Sequence, residues 1–199
     1  MEIKDSQNKA VNDIIEMIVA VIGKGSREID TTEAISSAAR LAGSFMFRSF
    51  EFDIDDVKPG TAMLSNEANT MGPALVNITL AVLQHYDIEI DQNSISAQNQ
   101  TTADSDFVDV IGRVQGPALD IMKNNDLNYE QLAQSAAVAT AFIIQQSSNI
   151  KPEEGFGIAV YHYIEGTKTC PPKFNDQPQQ NKSQNVEKEN KSKPWWKFW

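Results

Sequence analysis

Apolar residues recur along this chain at helical spacing, block after block. Val11, Ile14, Ile15, Ile18, Val19 and Ile22 fall three and four apart, which lines up one stripe of an amphipathic helix. Asp5 or Ser6 is placed to cap its start and Gly23-Lys24-Gly25 to end it. The pattern predicts a second helix over Thr32 to Phe50, with Asp30 and Glu33 at capping-box spacing. Its inner face is small: Ala38, Ala39, Ala42, Gly43 and Ser44. A third helix is predicted over Pro73 to Tyr86, with a start as early as Asn66. Leu75, Val76, Ile78, Leu80, Val82 and Leu83 surround it, so a central position is expected.

A fourth helix should follow Asp104, turning Phe107, Val108, Ile111 and Val114 inward, with Gly116-Pro117 interrupting it. A fifth covers Tyr129 to Gln146 and again carries a small face: Ala133, Ala136, Ala137 and Ala141. The sixth block, Pro152 to Ile164, reads as a helix weakened by Gly155 and Gly157, with "IAVYHYI" open to a strand reading. The polar stretches Glu51–Gly60 and Asp91–Thr102 read as a solvated linker and a loop. The expectation is an all-α, single six-helix domain over residues 1–172.

An offset of 97 lays the chain on itself. Glu33, Ala39, Ala42 and Phe45 fall on Glu130, Ala136, Ala139 and Phe142, and Val11 and Ile14 fall on Val108 and Ile111. With gaps, "LAVLQHYDIE" from Leu80 resembles "IAVYHYIE" from Ile158, and the only two histidines, His85 and His162, share a His-Tyr pair. Repeats of this kind shape a whole fold. The reading is two related three-helix units, residues 5–95 and 103–168, about a pseudo-twofold axis. The alanine faces of helices two and five would meet there or pair between chains, which leaves a homodimer open.

Charge narrows the possible partners. The chain carries a net −10, but residues 173–199 hold six lysines against three acids, which leaves −13 on the preceding 172 residues. A body of that sign repels nucleic-acid phosphate and favours a basic protein partner. Cys170 is the only cysteine, which excludes an internal disulfide and suits a reducing, cytoplasmic setting. No secretory signal is visible at the start. The longest apolar runs, Ile14–Ile22 and Pro73–Leu83, are too short to span a bilayer.

Chemical motifs are sparse. Asp53, Asp55 and Asp56 do not make a calcium loop, because Val57 and Leu64 stand where oxygen ligands are needed. Asp104, Asp106, Asp109 and Asp120 read as a solvated face or as partners of a helix N-terminus. Gly155-Phe156-Gly157 is too short for a phosphate cradle. No nucleotide, zinc or nucleophile motif occurs, so no cofactor or metal is expected. The enzyme alternative rests on His85, Tyr86, His162 and Tyr163, whose equivalent positions would meet in a pocket at the repeat interface.

The most unusual stretch is the last. Residues 173–193 are rich in Gln, Asn and Lys and lack the apolar content to fold, which predicts a flexible polar linker. Lys193, Pro194, Trp195, Trp196, Lys197, Phe198 and Trp199 then gather every tryptophan of the chain beside two lysines. Four aromatics of ~200 Å², half buried at ~25 cal/mol/Å², gain on the order of 10 kcal/mol. Ordering the segment costs roughly 5–10 kcal/mol. The balance is weak, reversible docking: to a membrane surface, where tryptophan and lysine both suit the interface, to a partner protein, or back onto the acidic body. The sequence therefore reads as a non-enzymatic, cytoplasmic interaction or regulatory protein, peripheral at the membrane if the segment meets lipid.

Overall fold

The computed structural model describes residues 5–23, 29–91 and 105–174; Lys193 to Trp199, and with them the docking segment, lie outside the described residues. Six helices account for most of what is described: α1 (Asp5–Ile22), α2 (Thr31–Arg48), α3 (Asn66–His85), α4 (Phe107–Asn124), α5 (Tyr129–Gln146) and α6 (Pro152–Thr167). The all-α reading holds. Their starts follow side-chain chemistry. Asp30, Ser65, Asp106 and Asn128 each accept a hydrogen bond from a backbone N–H of the first turn, satisfying donors that the helix itself leaves free.

α2 and α5 form the centre. α2 is buried from Ala34 to Phe47, and the small faces expected to meet do meet: Ala38, Ala39, Ala42, Ala133, Ala136, Ala137 and Ala141 are all buried. The two run antiparallel. Phe45 near the end of α2 packs on Tyr129 at the start of α5, and Thr31 bonds Asn149 just past the end of α5. α6 lies parallel to α2, Gly155 facing Ile35 and Gly166 facing Gly43. α3 lies parallel to α5, with Thr79 on the Ala137 carbonyl and Tyr86 on Phe142. α1 also flanks α5, through Gln7 and Gln134, and α4 flanks α2, through Gln115 and Arg48. These directions are compatible with two related units without establishing a duplication. Side-chain settings diverge between the proposed partners: Phe45 is fully buried and Phe142 only partly.

Several expectations are corrected. α3 is peripheral, not central. Only Ala68, Leu75, Thr79 and Leu83 are buried along it, while Val76, Ile78, Leu80 and Val82 are half covered. An apolar circumference permits a central place, but the small faces of α2 and α5 pack more closely and take it. Gly116-Pro117 does not interrupt α4, which runs unbroken to Asn124. Pro117 is exposed, so the ring and its missing N–H lie on the solvent side of the helix and not in the core. Val108, expected inward on α4, is only half buried; Val110 and Ala118 take inner places.

"IAVYHYI" is helical, and its glycines serve contact: a Cβ on Gly166 would come within 2.8 Å of the Gly43 Cα. The 51–60 connection is more than a solvated linker. Phe52 packs edge-on to Phe47 and Phe50. The Gly60 N–H donates to the Cys170 carbonyl, and Ala62 pairs with Thr169 in an antiparallel bridge. Asp53 accepts from the Asp55 N–H in a local turn. Among the described residues, no helix is long and apolar enough to cross a membrane.

Candidate functional site

Two places in the body gather polar or apolar groups beyond simple core filling. The first is a buried ionic cluster between α2 and α6. Arg40 is the one cation on the small inner face of α2, and its side chain is 4% exposed. Its Nε donates to Glu165 Oε2 at 2.7 Å, and a second guanidinium nitrogen donates to the Ser105 carbonyl at 2.8 Å. His162, three residues before Glu165 and so on the same helical face, donates from Nδ1 to the same carboxylate at 2.7 Å. Its Nε2 is buried with no hydrogen-bond partner among the described residues. Glu33, whose backbone N–H satisfies the Asp30 cap, turns its carboxylate to the backbone and hydroxyl of Ser105 instead of closing a capping box. The full capping box occurs on α5, between Asn128 and Gln131.

Burial pushes the Glu165 carboxyl up, but hydrogen bonds and charge from His162 and Arg40 outweigh it and leave the group below its ordinary value. A carboxylate held ionised by two such partners is a poor base near neutrality. The cluster therefore joins α2, α6 and the approach to α4; it does not present a reactive group. Arg40 did not stand out in the sequence, and Glu165 did so only as a carboxylate near His162, not as the partner of an arginine. The available signal was an arginine inside "SAARLAGS", where a buried cation requires an acid.

The two His-Tyr pairs occupy unlike settings. His85 and Tyr86 are exposed at the end of α3, and Tyr86 packs edge-on to Phe142. His162 and Tyr163 are buried in α6. The Tyr163 hydroxyl pairs with Thr79 at 2.6 Å, and burial pushes its pKa up to about 12, moderated by hydrogen bonds to Thr140 and Thr79.

The second place is a half-open cavity of about 470 Å³ at one end of the bundle. Ile15, Ile18 and Val19 of α1, Ile29 and Ala34 around the start of α2, and Phe142 and Ile143 of α5 form its apolar wall. Asn12, Thr31, Gln146 and Asn149 supply neutral hydrogen-bonding groups around it, and no titratable side chain lines it among the described residues. The hydrogen bond from Thr31 Oγ1 to Asn149 Oδ1, 2.8 Å, braces the start of α2 against the α5–α6 connection. The size lies within the range of small-molecule pockets, and an apolar wall with a few orienting polar groups is their usual make-up. The sequence reading placed Ile15, Ile18 and Val19 on the apolar stripe of the first helix and gave the other lining residues no inner place.

At the opposite end of α2 and α5 the chain crosses the bundle after α6. Arg48 donates to the Pro172 carbonyl and to Gln115, and its guanidinium lies 4.0 Å over the Phe174 ring. Phe174 also packs on Phe45 and Tyr129. Burial lowers the Arg48 pKa to about 10, against the opposing influence of Tyr129 and Cys170. This clamp fixes Phe174, the last described residue, against the ends of α2 and α5. Comparison with protein-family models, with curated proteins and with solved structures finds no match to this chain.

Proposed function

We propose that this chain is a non-enzymatic interaction protein of the cytoplasm, whose acidic helical body accepts an apolar anchor and whose Trp/Lys segment docks reversibly on a membrane surface or a partner protein. The observation that carries the reading is the cavity between α1, α2 and α5, lined by apolar side chains and by neutral hydrogen-bonding ones. That chemistry suits an aromatic side chain with one polar handle, and indole is such a side chain. The net −13 of residues 1–172 favours a partner with basic residues around that anchor.

The test uses the whole chain with Trp195→Ala, Trp196→Ala and Trp199→Ala, which carries no tryptophan of its own. N-acetyltryptophanamide is titrated into it and followed by its fluorescence. A saturable blue shift, lost when Val19→Glu places a charge in the cavity wall, is the expected result. No saturable binding, or binding indifferent to Val19→Glu, overturns the reading.

A further inference from the structure

We infer that residues 194–199 of the same chain occupy the α1–α2–α5 cavity, so that the aromatic segment and its acceptor site hold each other at rest. The inference rests on the cavity reading above and names the occupant. Three observations converge on it.

The first is chemical. The cavity wall is Ile15, Ile18, Val19, Ile29, Phe142 and Ile143, and Trp195, Trp196 and Trp199 are the only indoles in the chain. Asn12, Thr31, Gln146 and Asn149 at the cavity carry side-chain oxygens able to accept from an indole N–H.

The second is reach. The Arg48–Phe174 clamp fixes the exit point beside Tyr129, at the start of α5, whereas the cavity surrounds Phe142 to Gln146, at its end. The two lie roughly 20–25 Å apart along the helix at a rise of 1.5 Å per residue. The intervening residues 175–193 contain no apolar run that would bind elsewhere on the way. A coil of that length has an end-to-end distance of about 25 Å. A connection whose natural length matches the span gives the highest effective concentration, in the millimolar range, which is what a weakly bound segment needs.

The third is charge. Residues 173–199 carry +3 and the remainder −13. Exposed Glu16 and Asp30 stand next in sequence to the wall residues Ile15 and Ile29, within the neighbourhood that Lys193 and Lys197 would share.

Because the body has no tryptophan, intrinsic emission of the unmodified full chain reports only on residues 195, 196 and 199. The expected result is emission to the blue of N-acetyltryptophanamide and reduced acrylamide quenching, both unchanged on dilution. Val19→Glu or, independently, Ile143→Glu should restore the emission and quenching of exposed indole, while circular dichroism shows the helices intact. Should one variant unfold, the other still reads the contact, since the two changes sit on different helices. Indoles that are fully exposed in the unmodified chain overturn the inference. So does a blue shift that survives both variants, one that vanishes on dilution and so reports a second copy, or one that forms only when phosphatidylserine vesicles are added. If the tryptophan-free chain binds N-acetyltryptophanamide while the unmodified chain shows exposed indoles, the cavity reading stands and only the assignment of its occupant falls.

Discussion

Two glycines, Gly43 and Gly166, bring the backbones of α2 and α6 together, and adding one methyl group there gives a sharp test of the packing. A Cβ on Gly43 would lie 2.7 Å from the Gly166 Cα, 2.8 Å from the Tyr163 carbonyl oxygen and 2.9 Å from the Gly166 carbonyl carbon. All three neighbours are backbone, so no side chain can swing away. Restoring ordinary contact at 3.4 Å or more requires α2 and α6 to separate by roughly 0.7 Å at this point. A gap of that order forfeits a quarter to a half of each dispersion contact across the seam, and it stretches the 2.7 Å Arg40–Glu165 bond nearby. Overpacking of this kind costs about 1–3 kcal/mol and sometimes more, whereas alanine in a helix returns about 1 kcal/mol over glycine.

Because the obstruction is rigid, the cost falls at the upper end of that range, about 3 kcal/mol, and Gly43→Ala should destabilise the body by about 2 kcal/mol net, or about 4–8 °C in Tm for a domain of this size. Gly112→Ala is the control. It lies inside α4 with nothing within 4 Å of the added Cβ, so only the propensity gain remains and a stabilisation of about 0.5–1 kcal/mol is expected. Urea titration followed by circular dichroism reads both. A Gly43→Ala midpoint equal to or above that of the unmodified chain, with Gly112→Ala behaving as stated, would refute the claim that α2 and α6 meet at van der Waals limits.

Other expectations follow from the same structure. Tyr163 has its folded pKa raised, so its contribution is fully present below about pH 10 and is lost as the pH rises toward about 12; the unmodified chain should lose about 2 kcal/mol more stability than Tyr163→Phe over that window in parallel denaturant titrations. Glu165→Ala leaves Arg40 buried with the Ser105 carbonyl as its remaining hydrogen-bond acceptor, and should cost about 3 kcal/mol at neutral pH. Since the Glu165 carboxyl sits below its ordinary value, its stabilisation is present above the usual carboxylate range and lost as the pH falls through the folded value, so the deficit of the variant should shrink in acid. Asn128→Ala opens the α5 capping box and should lower stability by about 1 kcal/mol, measurable as a shift in urea midpoint at unchanged slope.

What this sequence determined by itself was the set of elements and the identity of the faces that meet. Helical periodicity and the smallness of Ala38, Ala42, Ala133 and Ala137 are local properties, legible without knowing any neighbour, and they suffice to say that α2 and α5 pack closely. The tertiary structure alone decided which apolar helix would be left at the periphery, because Val76 and Ile78 of α3 are as hydrophobic as anything in the centre and are left half covered only in competition with closer-packing surfaces. It alone paired Arg40 with Glu165, 125 positions apart, and separated the settings of two His-Tyr pairs that read alike. It also left Ile15, Ile18 and Val19 around an opening that a stripe on a helical wheel shows only as core. A periodicity records which side of a helix avoids water; whether another helix arrives to cover that side depends on where the rest of the chain has gone.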